Sequence, residues 1–307
     1  GDYAFADLKT VKEIVLSPEV TSIGYQAFSN CEALEDLTMP LLYVNRAKQE
    51  EKNGGYGLIS AQYYGLPGAL DINDHGTVYT GNQFKLHING GGIYYGAEND
   101  RAWEKAGSII GNGFGENLFR NCQGINEVTI DNITVIPQFA FGACHNLKKV
   151  TIGATVETIR AGAFFETGIE EIVIPDSVKE LGGYWLDDSD GESNRLFGYY
   201  PDSGSVFNGC ESLKKVTIGN GVVNIPAYMF SDCTNLEEIT IGENVRFVGN
   251  RAFQNCNDTF KVINHSTQKE WVISGPVSER FMNQLMANET APEKVYYGYG
   301  KFDTQKV

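Results

Sequence analysis

A four-residue phrase, Phe-x-x-Cys, recurs along this chain and constrains its fold more than any other feature. Where the pattern is uninterrupted, consecutive copies lie 22 or 23 residues apart. Six copies account for every cysteine in the sequence: Phe28/Cys31, Phe119/Cys122, Phe141/Cys144, Phe207/Cys210, Phe230/Cys233 and Phe253/Cys256. Two further copies keep the Phe and replace the Cys, since Phe5 is followed by Leu8 and Phe164 by Thr167. A unit of this length cannot bury its apolar residues alone, so the chain must stack such units against one another.

Each unit also contains a short alternating segment. After Phe230, for example, come Leu236, Ile239 and Ile241, followed by a Gly that interrupts the pattern. The unit reads A-F-x-x-C-x-x-L-x-x-V-x-I-(P/G)-x-x-V-x-x-I-x-x-x-A-F. Alternation of apolar and polar residues predicts a strand with one buried face, and the Pro or Gly after it ends the strand.

The unit resembles the BspA-like branch of leucine-rich repeat proteins. Its Cys precedes the strand, whereas common leucine-rich repeats place an Asn or Cys after it. The unit "FFETGIEEIVIP", with Thr-Gly in place of Cys-x-x, is similar to a variant of the same branch. The resemblance implies an α/β solenoid, a right-handed superhelix of units of about 23 residues with a parallel β-sheet on its concave face. It also implies adhesion or ligand binding at a bacterial cell surface or after secretion, without catalysis or a cofactor.

The pattern divides the chain into one solenoid with two interruptions. Repeats occupy 1–40, 114–182 and 205–256, residues 41–113 and 183–204 are insertions, and 257–307 form a C-terminal cap. The first insertion alternates around "GN" and "NGG", which predicts a small β-meander, although its length also allows degenerate repeats. The second insertion is an acidic loop between aromatic pairs. In the cap, Ser278 is the expected N-cap of a helix, and "KVYYGYG" is a candidate final strand.

The six cysteines are expected to be free, buried thiols. A secreted protein with an even number of cysteines invites a disulfide framework instead. However, equivalent side chains on stacked coils run parallel, which keeps their Cβ atoms at about 4.8 Å, outside the usual disulfide range. Leu8 and Thr167 also fill the same corner without sulfur. No two cysteines have the short spacing of a zinc site, so no metal is expected there.

Candidate ligand-binding residues lie in the insertions. Both insertions rejoin the repeat just before a Phe, so they are expected to project from one edge of the solenoid, about 14 Å apart. Tyrosine gives a large contact area at a low entropic cost. The candidate aromatic residues are Tyr94, Tyr95, Trp103, Tyr184, Trp185, Tyr199 and Tyr200. The alternative is that these aromatics form a core within each insertion.

The outward strand positions offer a second surface. Thr residues beside mixed charges occupy these positions in most units, as in Lys149/Thr151 and Glu238/Thr240, without an aromatic or Arg cluster.

The resemblance implies an extracellular protein or a glycan as the partner, and composition disfavours two other classes of partner. The net charge of −15 disfavours nucleic acid and anionic membranes, and no apolar run reaches transmembrane length. The repeat is already under way at Gly1, so we expect the native chain to extend upstream, where a signal or anchor segment would lie. A monomer is expected. An adhesion module is the leading hypothesis, and a carbohydrate-binding protein that uses the insertion aromatics is the alternative.

An enzyme at the insertions is the third hypothesis. Acidic residues of the insertions, such as Asp71 and Asp187, make a glycosidase formally conceivable, but nothing fixes two carboxylates at a working separation. The sequence contains no H-E-x-x-H, G-x-S-x-G or P-loop motif. Whether the acidic loops hold a weakly bound cation stays open.

Overall fold

The structure, a computed structural model, describes residues 1–42, 63–71, 77–78, 81–91, 118–182, 206–275, 277–287 and 291–297. Its strands are short, and the helix near the C-terminal end, α1, spans seven residues. In chain order the elements are β1 (Glu13–Val15), β2 (Asp36–Leu41), β3 (Leu70–Asp71), β4 (Thr77–Val78), β5 (Phe84–Gly91), β6 (Ile125–Asp131), β7 (Val135–Ile136), β8 (Lys149–Ile152), β9 (Thr158–Arg160), β10 (Glu171–Ile174), β11 (Glu180–Gly182), β12 (Lys215–Ile218), β13 (Asn224–Ile225), β14 (Glu238–Ile241), β15 (Phe247–Val248), β16 (Lys261–Asn264), β17 (Glu270–Ile273), α1 (Glu279–Leu285) and β18 (Lys294–Tyr297).

Nine of these strands form one parallel sheet, which we call the long sheet. Its order is β1-β2-β5-β6-β8-β10-β12-β14-β16, so each coil of the chain adds one strand beside the last. The register keeps equivalent positions aligned, and Val128 pairs with Val150 just as Val216 pairs with Ile239. These inward residues are buried while their neighbours face outward, as the alternating sequence predicts. The predicted α/β solenoid is confirmed.

A second strand in most coils forms two smaller parallel sheets. Their orders are β11-β9-β7 and β13-β15-β17-β18. Each of the short strands β7, β9, β13 and β15 begins four to six residues after a long-sheet strand ends. Most of the described coils therefore contain two strands and then a corner.

The repeat Phe residues stack along the axis of the solenoid. Successive ring centroids lie 5.3–5.8 Å apart with interplanar angles of 4–12°. The column contains Phe5 and Phe28 at one end and Phe119, Phe141, Phe164, Phe207, Phe230 and Phe253 beyond. Phe141 is fully buried between Phe119 and Phe164, with 1% of its surface exposed. Burial of these rings supplies a large share of the apolar area that stabilises the stack.

The prediction of a β-meander over 41–113 is wrong for β5. Residues Phe84–Gly91 run parallel between β2 and β6 in the long sheet, with Leu86 paired to Leu37 and to Val128. This segment is therefore a degenerate repeat, the alternative that the length of the interruption allowed. Phe84, Leu86 and Ile88 are buried, so they fill the core as the apolar strand residues of regular units do. The strands β3 and β4 pair antiparallel, as a hairpin would.

The repeat also runs past the predicted boundary at residue 256. Strand β16 pairs with β14 in register, Glu238 with Lys261, and so adds a ninth strand to the long sheet. The sequence pattern hid this coil because a buried Asn264 stands where other units have Ile. Its side chain accepts a hydrogen bond from Ser266 N and donates to Leu285 O, which satisfies the amide in the core.

Helix α1 covers the end of the stack and confirms the predicted N-cap. The hydroxyl of Ser278 accepts a hydrogen bond from Phe281 N at 3.1 Å. The amide of Gln284 binds both free backbone groups at the edge of β16, because Oε1 accepts from Val262 N at 2.8 Å and Nε2 donates to Phe260 O at 3.0 Å. The predicted final strand is present as β18.

Candidate binding edge

The corner around each repeat Phe has an unusual backbone. Where both positions are described, the residue two positions before the Phe and the residue two positions after it are in the left-handed region, as with Phe139 and Ala143 around Phe141. The residues that follow the Phe at this position are Asp7, Asn30, Asn121, Ala143, Glu166, Gly209, Asp232 and Asn255. Asn, Asp and Gly tolerate this conformation best, and most units accordingly have the sequence F-x-(N/D/G) at this corner.

The repeat cysteine fastens each corner to the previous coil. In five of the six, Sγ donates a hydrogen bond to the carbonyl oxygen of the preceding Phe, for example Cys233 to Phe207 at 3.2 Å and Cys256 to Phe230 at 3.0 Å, whereas Cys122 donates to Pro67 O at 3.5 Å. The same bond joins Cys31 to Phe5, Cys144 to Phe119 and Cys210 to Phe164. All six cysteines are free thiols, as predicted. The corner therefore needs a small donor as well as an apolar filler.

Burial keeps these thiols protonated. Desolvation raises the pKa of Cys122 and of Cys256 to about 12, and that of Cys210 to about 11. The pKa values of Cys144 and Cys233 are raised well above the ordinary value of 9.0 for the same reason. A protonated, buried thiol is a poor nucleophile and a poor metal ligand, so the cysteines have a structural role.

The points where the insertions rejoin the repeat share one register. Leu118 and Val206 are buried at the position that Ala140 and Ala163 occupy in regular units. Backbone hydrogen bonds run in sequence through these positions, from Phe119 N to Ala140 O, from Phe141 N to Ala163 O, and from Phe164 N to Val206 O. The two points therefore lie on one edge of the solenoid, three coil steps or about 14 Å apart. We call this the insertion edge.

A cavity of about 700 Å³ opens beside Val206 on the insertion edge; we call it the edge cavity. Its wall draws on four consecutive coils. The lining residues are His145, Phe165, Glu166, Thr167, Gly168, Asn208, Gly209, Glu211, Ser212 and Asp232.

A unit that is one residue short creates this cavity. Ile169 is the fifth residue after Phe164, whereas the equivalent Leu147 is the sixth residue after Phe141. In regular units the corner closes with a turn in which the Leu N–H donates to the Cys carbonyl, as from Leu147 to Cys144. The short unit has only Gly168 between Thr167 and Ile169, and its backbone passes directly beneath His145, where a Cβ would lie 2.2 Å from the carbonyl oxygen. The corner is therefore drawn inward and leaves a hollow between its neighbours.

The edge cavity is acidic. Glu166 and Glu211 are exposed at its rim, and His145 lies opposite. Asp232 is half-buried and already occupied, because its carboxylate accepts hydrogen bonds from Ser231 Oγ at 2.8 Å and from Asn255 Nδ2 at 2.7 Å. Among the described residues that line it, none is Lys or Arg, so the carboxylates of Glu166 and Glu211 dominate the charge of this lining.

The outward face of the long sheet has a different character. One column along it reads Glu13, Asp36, Lys85, Glu127, Lys149, Glu171, Lys215, Glu238 and Lys261. From Asp36 onward the charges alternate, and ion pairs join Lys149 to Glu127 and, at 3.1 Å, Lys261 to Glu238. The adjacent column is mostly Thr. This face neutralises its own charges and contributes modestly to stability through exposed ion pairs.

The structure describes only some of the residues that the sequence singles out. Tyr94, Tyr95, Trp103, Tyr184, Trp185, Tyr199 and Tyr200 lie outside the described residues. The predicted repeat Phe and Cys residues are buried in the core of the corner, except for Phe253 and Cys256, which are half-buried and pack against it. The edge cavity was missed, although its signal was present as the one-residue deletion in "FFETGIEEI".

Two kinds of feature are missing from the residues that the structure describes. No helix there combines the length and apolar character that crossing a membrane requires. Within the same ranges, no three His, Cys, Asp or Glu side chains are grouped to hold a metal ion.

Comparison with known proteins gives one assignment. The family model of the BspA type leucine-rich repeat region matches six copies, over residues 1–49, 111–191 and 203–270. No curated protein sequence matches the chain significantly.

Solved structures of bacterial proteins resemble the chain at low identity. A leucine rich cell surface protein of Faecalibacterium prausnitzii is 18% identical, with 98% of this chain and 82% of that chain covered and a TM-score of 0.36. The leucine-rich repeat protein of T. pallidum is 19% identical over 53% of this chain and 72% of its own, with a TM-score of 0.28. The pneumococcal vaccine antigen PcpA is 13% identical, with coverages of 93% and 92% and a TM-score of 0.27.

Proposed function

Because the chain belongs to the BspA-type leucine-rich repeat family, we propose that it is a non-enzymatic binding module, exposed on a bacterial surface or secreted, that engages a host protein or another cell. The repeats supply a rigid scaffold, since stacked Phe rings and thiol hydrogen bonds fasten each coil to the next. On such a scaffold, inserted segments are the parts free to vary with the ligand.

The shared register of Leu118 and Val206 carries this proposal. Both insertions return to the same edge about 14 Å apart, so residues from the two segments are close enough to contact one partner. The segments contain Tyr94, Tyr95 and Trp103 in one and Tyr184, Trp185, Tyr199 and Tyr200 in the other. Tyr and Trp are the residues most enriched at binding hot spots.

The outward face of the long sheet is the weaker candidate for the ligand surface. Its charges are paired with one another along the column, as in the ion pair between Lys261 and Glu238. A partner would have to separate those pairs and desolvate them, which costs free energy. The proposal therefore places recognition at the insertion edge.

A binding screen tests this function. The protein, labelled at its N-terminus, is applied to immobilised extracellular-matrix proteins, to intact host and bacterial cells, and to a glycan array. We expect saturable binding to a protein ligand or to cells that survives removal of surface glycans. Saturable binding to glycans alone would replace the proposal with the carbohydrate-binding alternative, and turnover of a substrate panel would replace it with an enzyme.

A further inference from the structure

We propose that the edge cavity receives a basic side chain of the partner protein, with arginine as the best fit. This inference rests on the proposed function and deepens it, because it assigns a chemistry to one contact at the insertion edge. Three independent observations on the described residues support it: unpaired charge, an aromatic wall and size.

The charge at the rim is unpaired. In the described part of the chain, no hydrogen bond or ion pair engages the side chain of Glu166 or Glu211. Several exposed Glu residues elsewhere pair with a Lys of the next coil, as Glu170 does with Lys214 and Glu157 with Lys179. The ammonium of Lys148 lies beside Gly168, at the border of the cavity. Two unpaired carboxylates in one concave site attract a cationic group.

The wall of the cavity includes an aromatic ring suited to a guanidinium. Phe165 is half-buried and meets the ring of Phe139 edge-on, with centroids 6.4 Å apart. On neighbouring coils of this same edge, the chain already places its own arginines on rings: Arg120 lies 5.3 Å above Phe139. Arg251 lies 5.8 Å above Tyr228 and donates to its hydroxyl. A partner arginine on Phe165 would repeat this arrangement, with cation–π attraction added to the carboxylates.

The size of the cavity fits a side chain rather than a domain. About 700 Å³ is within the usual range for pockets that enclose small ligands, and it exceeds what a single ion needs. Planar guanidinium groups bind carboxylates in a bidentate manner, which suits two acids on adjacent coils better than an ammonium does. Recognition by one anchoring side chain in a pocket, surrounded by broader contacts, is a common interface design.

The test uses a small probe and does not require the partner. The full chain, labelled with ¹⁵N, is titrated at pH 7.5 with N-acetyl-arginine amide and, separately, with the isosteric N-acetyl-citrulline amide. We expect saturable, millimolar shifts of the backbone amides of Asn208, Gly209 and Ser212 with the arginine probe and no saturation with citrulline. The double variant Glu166→Gln/Glu211→Gln should bind the arginine probe roughly fivefold or more weakly, as expected for the loss of two charge-assisted contacts. The control Glu243→Gln, at an exposed position outside the lining residues, should bind normally.

Each outcome decides the inference. Equal binding of citrulline, no saturable shift of these amides, or full binding by the double variant overturns it, provided that thermal melting shows the variant folded. Binding of the arginine probe together with a negative partner screen would sink the proposed function while the acidic pocket stands. A partner that binds normally to the double variant would leave the proposed function intact and remove the cavity from it.

Discussion

The thiol of Cys144 donates a hydrogen bond to the carbonyl oxygen of Phe119, 3.0 Å away on the preceding coil. This contact joins the Cys of one unit to the Phe of the preceding unit, so the two recurring residues of the phrase interact between coils. A cysteine serves better than alanine at this corner because its thiol adds a hydrogen bond from the next coil to a carbonyl that Cys122 N already reaches at 3.1 Å within its own coil. Where Thr167 replaces the cysteine, its hydroxyl donates to Phe164 within the same coil and contacts Cys210 at 3.3 Å.

Alkaline pH should destabilise the fold through these thiols. The unfolded thiols ionise near 9.0, whereas the native ones keep their protons to about 11 or 12. Because the folded pKa is raised, the contribution of each thiol is complete below pH 9 and is lost as pH rises through that window. The expected slope is up to about 1.4 kcal/mol per pH unit per buried thiol. Urea denaturation at pH 7.5, 9 and 10 with a phosphine reductant measures it.

The variant Cys144→Ala isolates the thiol contribution from the ionisation of Tyr and Lys. It should be less stable than the parent at pH 7.5 by about 1–2 kcal/mol, and its stability should fall less steeply between pH 9 and 10. Parallel pH profiles would contradict the buried-thiol account. Fewer than six titratable thiols in denaturant without reductant would contradict the free-thiol assignment.

The column of Phe rings should carry more stability at its centre than at its end. Phe141→Ala should lower the free energy of unfolding by about 3–5 kcal/mol, because the cavity touches a ring on either side. Phe5→Ala should cost clearly less, since Phe5 is half-buried and stacks only on Phe28 within the column. Equal losses in chemical denaturation would contradict a stack that is stabilised by neighbour contacts.

The sequence predicts the repeats well where the phrase Phe-x-x-Cys recurs. It fails where other side chains form the corner in place of that phrase. Strand β5 lacks a preceding Phe-x-x-Cys, and its coil is formed with Tyr63 and Tyr64 instead, both of which are buried. The alternation of Phe84, Leu86 and Ile88 was visible, but the tight-turn signals beside it favoured an antiparallel reading. Only pairing with strands that lie far away in the sequence decides between the two.

The candidate site was predictable in its position and not in its shape. Counting residues between repeat Phe positions places both insertions at one register, which the backbone hydrogen bonds at Leu118 and Val206 bear out. The edge cavity depends on how a five-residue spacing between Phe164 and Ile169 distorts a corner next to coils with six. The ion pairs on the outward face likewise require the register between coils, which no single unit contains.

Ala143 offers a simple test of the left-handed corner. It has φ near +56°, where six other units have Asn, Asp or Gly and one has Glu166, and alanine is strained there. Ala143→Gly should therefore raise the free energy of unfolding by about 0.5–1 kcal/mol, the relieved strain less the added entropy of the unfolded chain. The matched control Ala140→Gly, at a buried position with negative φ, should be destabilising. A loss of stability at both positions would contradict the assigned backbone.

The side chain of Gln284 should stabilise the packing of helix α1 on strand β16. Its side-chain amide pairs with Val262 N and Phe260 O, which are otherwise open backbone groups at the edge of β16. Gln284→Leu should cost about 1–3 kcal/mol, because it leaves two partly buried polar groups without partners. Asn283→Leu, at an exposed position of the same helix, should change stability by less than about 0.5 kcal/mol. Similar effects of the two substitutions would argue against the cap.

The last prediction separates the scaffold from the binding surface. In regular units, the next Phe is the fifth residue after the apolar residue of the second strand, as Phe164 is after Ile159. Leu181 pairs in register with Ile159, so deleting residues 183–203 and keeping Gly204 and Ser205 restores the same spacing from Leu181 to Phe207. No repeat position is lost, so the variant should melt cooperatively near the temperature of the parent protein.

Binding to the ligand found in the screen should nonetheless fall by about tenfold or more, because Tyr184, Trp185, Tyr199 and Tyr200 are removed and large aromatic anchors dominate interface energies. If the outward face of the long sheet is the true ligand surface, the deletion will leave the affinity intact. Charge reversal at Lys149, Glu171 and Lys215 will then abolish binding, since these residues form the centre of its charged column. A cooperatively folded deletion variant that binds at full strength therefore rules out the insertion edge, whereas weak binding with an intact melting curve assigns recognition to it.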